Sequence, residues 1–151
     1  MNLIEKIDQK YKNSIKEKDS NTTNTLRLIK SAIKDKEISL RGKQDKFSDG
    51  DILSLLQTLI KQRKDSIDAF KKANRNDLIL KEQTEIDIIE TFLPQQKSES
   101  ETRDIIESII KENKFDSLKD MGKLMNIIKS NYIGQIDMGV AGKIAKSSLG
   151  N

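Results

Sequence analysis

Aliphatic residues recur at intervals of three and four along nearly all of this 151-residue chain, and a single proline, Pro94, interrupts them. An α-helix turns once in about 3.6 residues, so this spacing gathers the apolar side chains into one stripe per helix. No segment sustains the two-residue alternation that a half-buried strand requires. The expectation is an all-α fold. The apolar share is 34% and the charged share 34%, against about 45–50% and about 25% in ordinary globular domains. Each helix therefore has a narrow apolar face, and with no tryptophan and few aromatics the core between helices is aliphatic.

A first helix is expected from about Asn2 to Lys18, with Leu3, Ile4, Ile7, Tyr11 and Ile15 on its stripe. The capping residues of DSNTTN end it. A second runs from about Thr23 with Leu26, Ile29, Ala32, Ile33 and Leu40 inward, and stops near Gly42, which suits the left-handed position past a helix end. GKQDKFSDGD then reads as a polar loop. Ser48 or Asp49 caps a third helix whose inward face holds Ile52, Leu55, Leu56, Leu59, Ile60, Ile67 and Phe70, up to the interruption ANRND. A fourth carries Leu78, Ile86, Ile89, Phe92 and Leu93 and ends at Pro94, because the residue before proline avoids the helical region. Pro94 and QQKSESE form the expected domain boundary, dividing a four-helix, bundle-like unit over 1–94 from a small three-helix unit over 97–151. In the second unit Ser98 or Ser100 caps a helix with Ile105, Ile106, Ile109 and Ile110. Ser117, with Asp120 three residues on, opens another through Leu118, Met121, Leu124, Met125 and Ile128. The last helix follows Asp137 and contains Val140, Ile144, Ala145 and Leu149.

With no cysteine there is no disulfide, thiolate zinc site or thiol nucleophile, and with no histidine the usual general base and commonest metal ligand are missing. No phosphate-cradling GxxxxGK[ST], no GxGxxG after a strand and no nucleophile elbow occur. No catalytic residue, metal or cofactor is expected. Glu82, Glu85 and Glu90 share a helix, but Lys81 and Glu85 have the spacing of a surface ion pair, so a solvated face explains them. No segment approaches about 18 consecutive apolar residues, and the N-terminus lacks the pattern of a signal peptide. A cytoplasmic location with no membrane contact is expected.

The stretch IKQRKDSIDAFKKANRNDL, residues 60–78, concentrates Lys61, Arg63, Lys64, Lys71, Lys72 and Arg75 on one helix and its end. With Ile60, Ile67 and Phe70 inward, these cations lie outward or on the flanks, Arg63 near the apolar edge. Asp68 is placed to pair with Lys72 and, in the weaker order, with Lys64; Lys61, Arg63, Lys71 and Arg75 have no evident local partner. Such an excess suits a phosphate backbone, whose affinity comes largely from counterion release. Without interleaved aromatics the binding would read charge and shape rather than base sequence. A solvated face and a protein-docking flank remain open alternatives. DMGKLM, residues 120–125, is open to two readings, an anion site at a helix start or a cap followed by core methionines.

LRLIKSAIKDKEISLRGK (26–43), IKQRKDSIDAFKKANRNDL (60–78), EQTEIDIIETFLPQQ (82–96), DMGKLMNIIK (120–129) and GQIDMGVAGKIAK (134–146) resemble, in order and spacing, successive motifs of the YqeY family. That family is similar to the C-terminal tail of the GatB subunit of tRNA-dependent amidotransferases. The resemblance implies an all-helical protein with an N-terminal bundle and a smaller C-terminal domain. It also implies a tRNA connection and an association with carbon–nitrogen ligases that use glutamine as amido donor, so tRNA and amidotransferase or tRNA synthetase subunits are the expected partners. This chain lacks the GatB catalytic core and any Gly- and Ser-rich amidase core, so no activity of its own is expected. Carried over by position, the motifs mark Lys61, Arg63, Lys64, Arg75, Gly122, Lys123, Gly134 and Asp137. Lys61, Arg63, Lys64, Lys71, Lys72, Arg75, Lys119, Lys123 and Lys143 are the expected nucleic-acid contacts, while Pro94, Gly122, Gly134 and Asp137 are structural marks. Where many members have an Asp-Gly pair, this sequence has Asp137-Met138-Gly139.

Overall fold

In the computed structural model, which describes residues 2–42 and 47–150, the chain forms seven α-helices and no strand among those residues. They are α1 Leu3–Lys16, α2 Ser20–Ser39, α3 Asp49–Lys72, α4 Asn76–Glu90, α5 Glu99–Asn113, α6 Met121–Asn131 and α7 Met138–Leu149, with a 3-10 turn at Leu118–Asp120 before α6. The polar loop expected over 42–51 lies partly outside the described residues, and from Asp49 it already belongs to α3.

Local chemistry fixes most of the helix starts. Ser48 and Ser98 each close a reciprocal box: the Ser98 hydroxyl accepts from the Glu101 N–H at 3.0 Å and the Glu101 carboxylate accepts from the Ser98 N–H at 3.0 Å. Asn2 and Glu5 make the same pair at the start of α1. Asp19 caps α2 by accepting the Thr22 N–H at 3.2 Å and the Thr22 hydroxyl at 2.7 Å, which moves the start of α2 ahead of the expected Thr23. The box expected between Ser117 and Asp120 does not form. Asp120 instead accepts the N–H of Asp116 at 3.0 Å, and the result is the 3-10 turn.

Three helices end alike. Lys18, Asn74 and Lys114 take φ near +55°, and the next residue's N–H reaches back to a carbonyl five positions earlier: Asp19 to Ser14, Arg75 to Phe70, Phe115 to Ile110. None of the three is glycine.

The chain divides into two compact units, 1–93 and 94–151, each with its own core. In the first, α1 packs on α2 and α3 on α4, around Ile7, Leu26, Ile29, Ile52, Leu56, Ile86 and Ile89. The α1 stripe is rotated from the expected one: Ile4 is 36% and Ile15 49% exposed, while Ser14 turns inward. Its hydroxyl donates to the Tyr11 carbonyl at 2.7 Å and shares a hydrogen bond with Thr23 at 2.8 Å, so burial leaves it satisfied. Phe70, expected inward, is half-buried.

In the second unit, α7 packs on both α5 and α6 around Ile106, Leu124, Ile128, Ile136, Ala141, Ile144 and Ala145. Leu118, placed on the α6 stripe by its spacing, is 50% exposed because the 3-10 turn breaks the helical phase. Gly134 supplies a left-handed turn at φ +74°, and its carbonyl accepts from the Gln96 amide at 2.6 Å.

Candidate nucleic-acid interface

The second half of α3 presents its charges in two ways. Arg63 follows Ile60 by three and precedes Ile67 by four, and so falls on the edge of the buried stripe. There its Nε donates to the Glu85 carboxylate of α4 at 2.9 Å and its guanidinium also reaches the Leu59 carbonyl at 3.0 Å. Its side chain is 12% exposed and that of Glu85 16%. Arg63 is therefore not the open cation expected from the sequence, and Glu85 pairs across helices rather than with Lys81. Arg75 grips Asp77 with two bonds, of 3.2 and 3.1 Å, so it too has the local partner it was expected to lack. The paired carboxylate raises the Arg75 pKa, and the guanidinium holds Asp77 below its ordinary value.

Lys61, Lys64, Lys71 and Lys72 behave otherwise. All four are exposed, and among the described residues none is in an ion pair; the expected Asp68 pairs with Lys64 and Lys72 are not closed. At about 100° per residue, Lys64 and Lys71 share one line along the helix, and Lys61 and Lys72 share another roughly 80° away. The four extend over about 17 Å of axis. Asp68 lies between the two lines and Asp65, also exposed, beside the second, which leaves this flank with two more cations than carboxylates.

In the second unit, Lys119 is exposed in the 3-10 turn, Lys123 in the first turn of α6, and Lys143 on α7, the helix packed against both. Gly122 is exposed, and a Cβ there would meet nothing within 4 Å. Asp137 serves as a cap, accepting from Gly139 at 2.8 Å and Val140 at 3.2 Å, so with Met138 between Asp137 and Gly139 the start of α7 is closed. Pro94 is exposed, and its carbonyl accepts from Gln96.

Among the described residues there is no cluster of three or more potential metal ligands, and no helix is long and apolar enough to cross a membrane. The shifted carboxylates, Asp19, Asp77 and Glu101, sit at helix starts or in a local pair rather than together in a cleft. The role of Arg63 had a trace in the sequence. Both it and Glu85 lie within one turn of two core positions, where a long charged side chain finds a partner on the packed helix.

These features define a protein that is all-helical over its described residues. Its family is settled by likeness. The family model described as Yqey-like protein matches residues 4–149, and the chain belongs to that family. Curated relatives are named Altered inheritance of mitochondria protein 41, mitochondrial. The Saccharomyces cerevisiae protein is 39% identical over 121 residues, 80% of this chain and 62% of its own length. The Lachancea thermotolerans protein is 39% identical over 102 residues, 67% of this chain and 53% of its own. The chain thus spans a little over half of the relatives it matches.

Proposed function

We propose that this protein is a non-catalytic accessory factor that holds RNA, tRNA foremost, through the exposed lysines of α3, and that it serves amide-transfer systems whose chemistry resides in other subunits. The observation that carries the reading is the separation of charge on α3. Arg63 is held in a part-buried pair with Glu85 and Arg75 in an exposed pair with Asp77, whereas Lys61, Lys64, Lys71 and Lys72 remain exposed outside the ion pairs. Cations kept free of partners cost the fold repulsion and are suited to an external polyanion. Lys119, Lys123 and Lys143 would add contacts from the second unit. The units 1–94 and 97–151 would act as two domains, in an aqueous compartment, either the cytoplasm or, by analogy with the names of the yeast relatives, a mitochondrial one.

The test is tRNA affinity against salt for the wild type and for a variant with Lys61, Lys64, Lys71 and Lys72 changed to Glu. Arg63 is left intact because it holds α3 to α4. The slope of log affinity against log salt should shrink by roughly one unit for each phosphate that the variant no longer neutralises. Equal slopes, or negligible binding by both proteins, would end the proposal.

A second reading, a protein-docking module, has its own support in Leu80, 69% exposed on α4 in the company of Asp77 and Asp87. Partner capture that survives nuclease and is lost in Leu80→Glu would favour it.

A further inference from the structure

On α5, residues Glu99, Arg103, Glu107 and Lys111 succeed one another at four-residue intervals, so they form one ridge along the helix, about 18 Å long. All four are exposed. Glu99 and Arg103 lie 3.7 Å apart, while among the described residues Glu107 and Lys111 carry no ion pair despite their favourable spacing. Beside this ridge runs a shallow groove of about 440 Å³, lined by Arg103, Glu107, Ile110 and Lys111 of α5 and by Ser147 and Ser148 of α7. The two serines are small enough to let another backbone come close.

Read from N- to C-terminus the ridge is negative, positive, negative, positive. Read backwards it is the complement of itself. We propose that α5 pairs with α5 of a second copy of this chain, antiparallel and about a two-fold axis between Arg103 and Glu107. Glu99 then faces Lys111 of the other copy, Arg103 faces Glu107, and the two-fold repeats both pairs, the same patch serving on each side. Seating one such ridge in the groove beside the other gives the commonest helix crossing, near −50°. The neighbouring row, Ser100, Asp104, Ser108 and Glu112, has no cation, so the pattern selects this face of α5 and no other. The pairing is electrostatic and therefore weakens as salt rises.

Sedimentation of the full chain at low and high ionic strength tests the idea. Wild type should self-associate at low ionic strength and disperse at high. Arg103→Glu and Glu107→Arg should each weaken association roughly tenfold or more, because each sets like charges face to face. The double variant R103E/E107R restores complementarity and should associate as wild type does. An equimolar mixture of the two single variants should form a mixed dimer. Where a swapped variant loses its helical circular dichroism, the neutral pair R103Q/E107Q takes its place, and weakened association is again the expected result. A wild type monomeric at low ionic strength and high protein concentration overturns the proposal. So does single-variant association at wild-type strength, or a double variant that fails to recover.

Discussion

Arg63 shows how far a charge can be misjudged when only its own helix is considered. Along α3 it looks like one more cation of a basic stretch, yet its guanidinium is spent on Glu85 and on the Leu59 carbonyl. Removing it strands a carboxylate that is 16% exposed. Arg63→Ala should therefore cost roughly 1.5–3 kcal/mol of stability, read from urea unfolding, since bonds to charged groups fall in that range. Arg63→Lys should recover only part of the loss, because an ammonium cannot reproduce the fork. A double-mutant cycle with Glu85→Ala that gave no coupling would show the pair to be idle. The carboxylates of Asp19, Asp77 and Glu101 lead to a second expectation. Hydrogen bonds from Thr22 lower the first, from Arg75 the second, and from Ser98 the third. Because their folded values lie below the unfolded ones, the unfolded chain binds more protons in the acid range, and stability rises with pH there. It should be level through neutral pH, where a chain with no histidine has no side chain of ordinary pKa to titrate, and fall as the pH drops below about 4. Glu101→Gln should reduce the acid dependence measured by thermal melts at stepped pH.

At the scale of the element, starts were more legible than ends. Ser48, Ser98 and Asp137 announce their helices by residue type, and each caps as its chemistry dictates. The left-handed ends at Lys18, Asn74 and Lys114 gave little signal, since the residue usually found there is glycine. An L residue in that conformation carries strain of about 1 kcal/mol or more. Lys114→Gly should thus raise stability by roughly 0.5–1 kcal/mol, and a drop in melting temperature would count against the account. Gly122 is the opposite case: its position in α6 is open and needs no glycine geometry. Gly122→Ala should stabilise the helix by about 0.5 kcal/mol in chemical denaturation. If the same change weakens tRNA binding, close approach of RNA to that turn is the physical cause to pursue.

For the whole molecule, 1–93 and 94–151 each build a core from their own aliphatic residues. Residues 94–151 produced alone should keep a helical circular dichroism spectrum with a cooperative melt. A chain this short buries less of its surface than the full protein does, so that melt should lie low. A fragment without helix signal would mean that the second core depends on the first.

The sequence by itself determined that this protein is helical, where most helices begin, and most of the residues that supply the aliphatic cores. Those are local matters of period and capping, settled within about one helical turn. Only the tertiary structure decided the rotation of each helix about its axis, so that Ser14 is turned inward and Ile4 and Ile15 are left facing water. It also decided which charges are consumed within the fold. A stripe spaced by threes and fours is compatible with a range of rotations, and the packed neighbour selects among them. By the same selection it brings Glu85 to Arg63 and leaves the lysines of α3 outward.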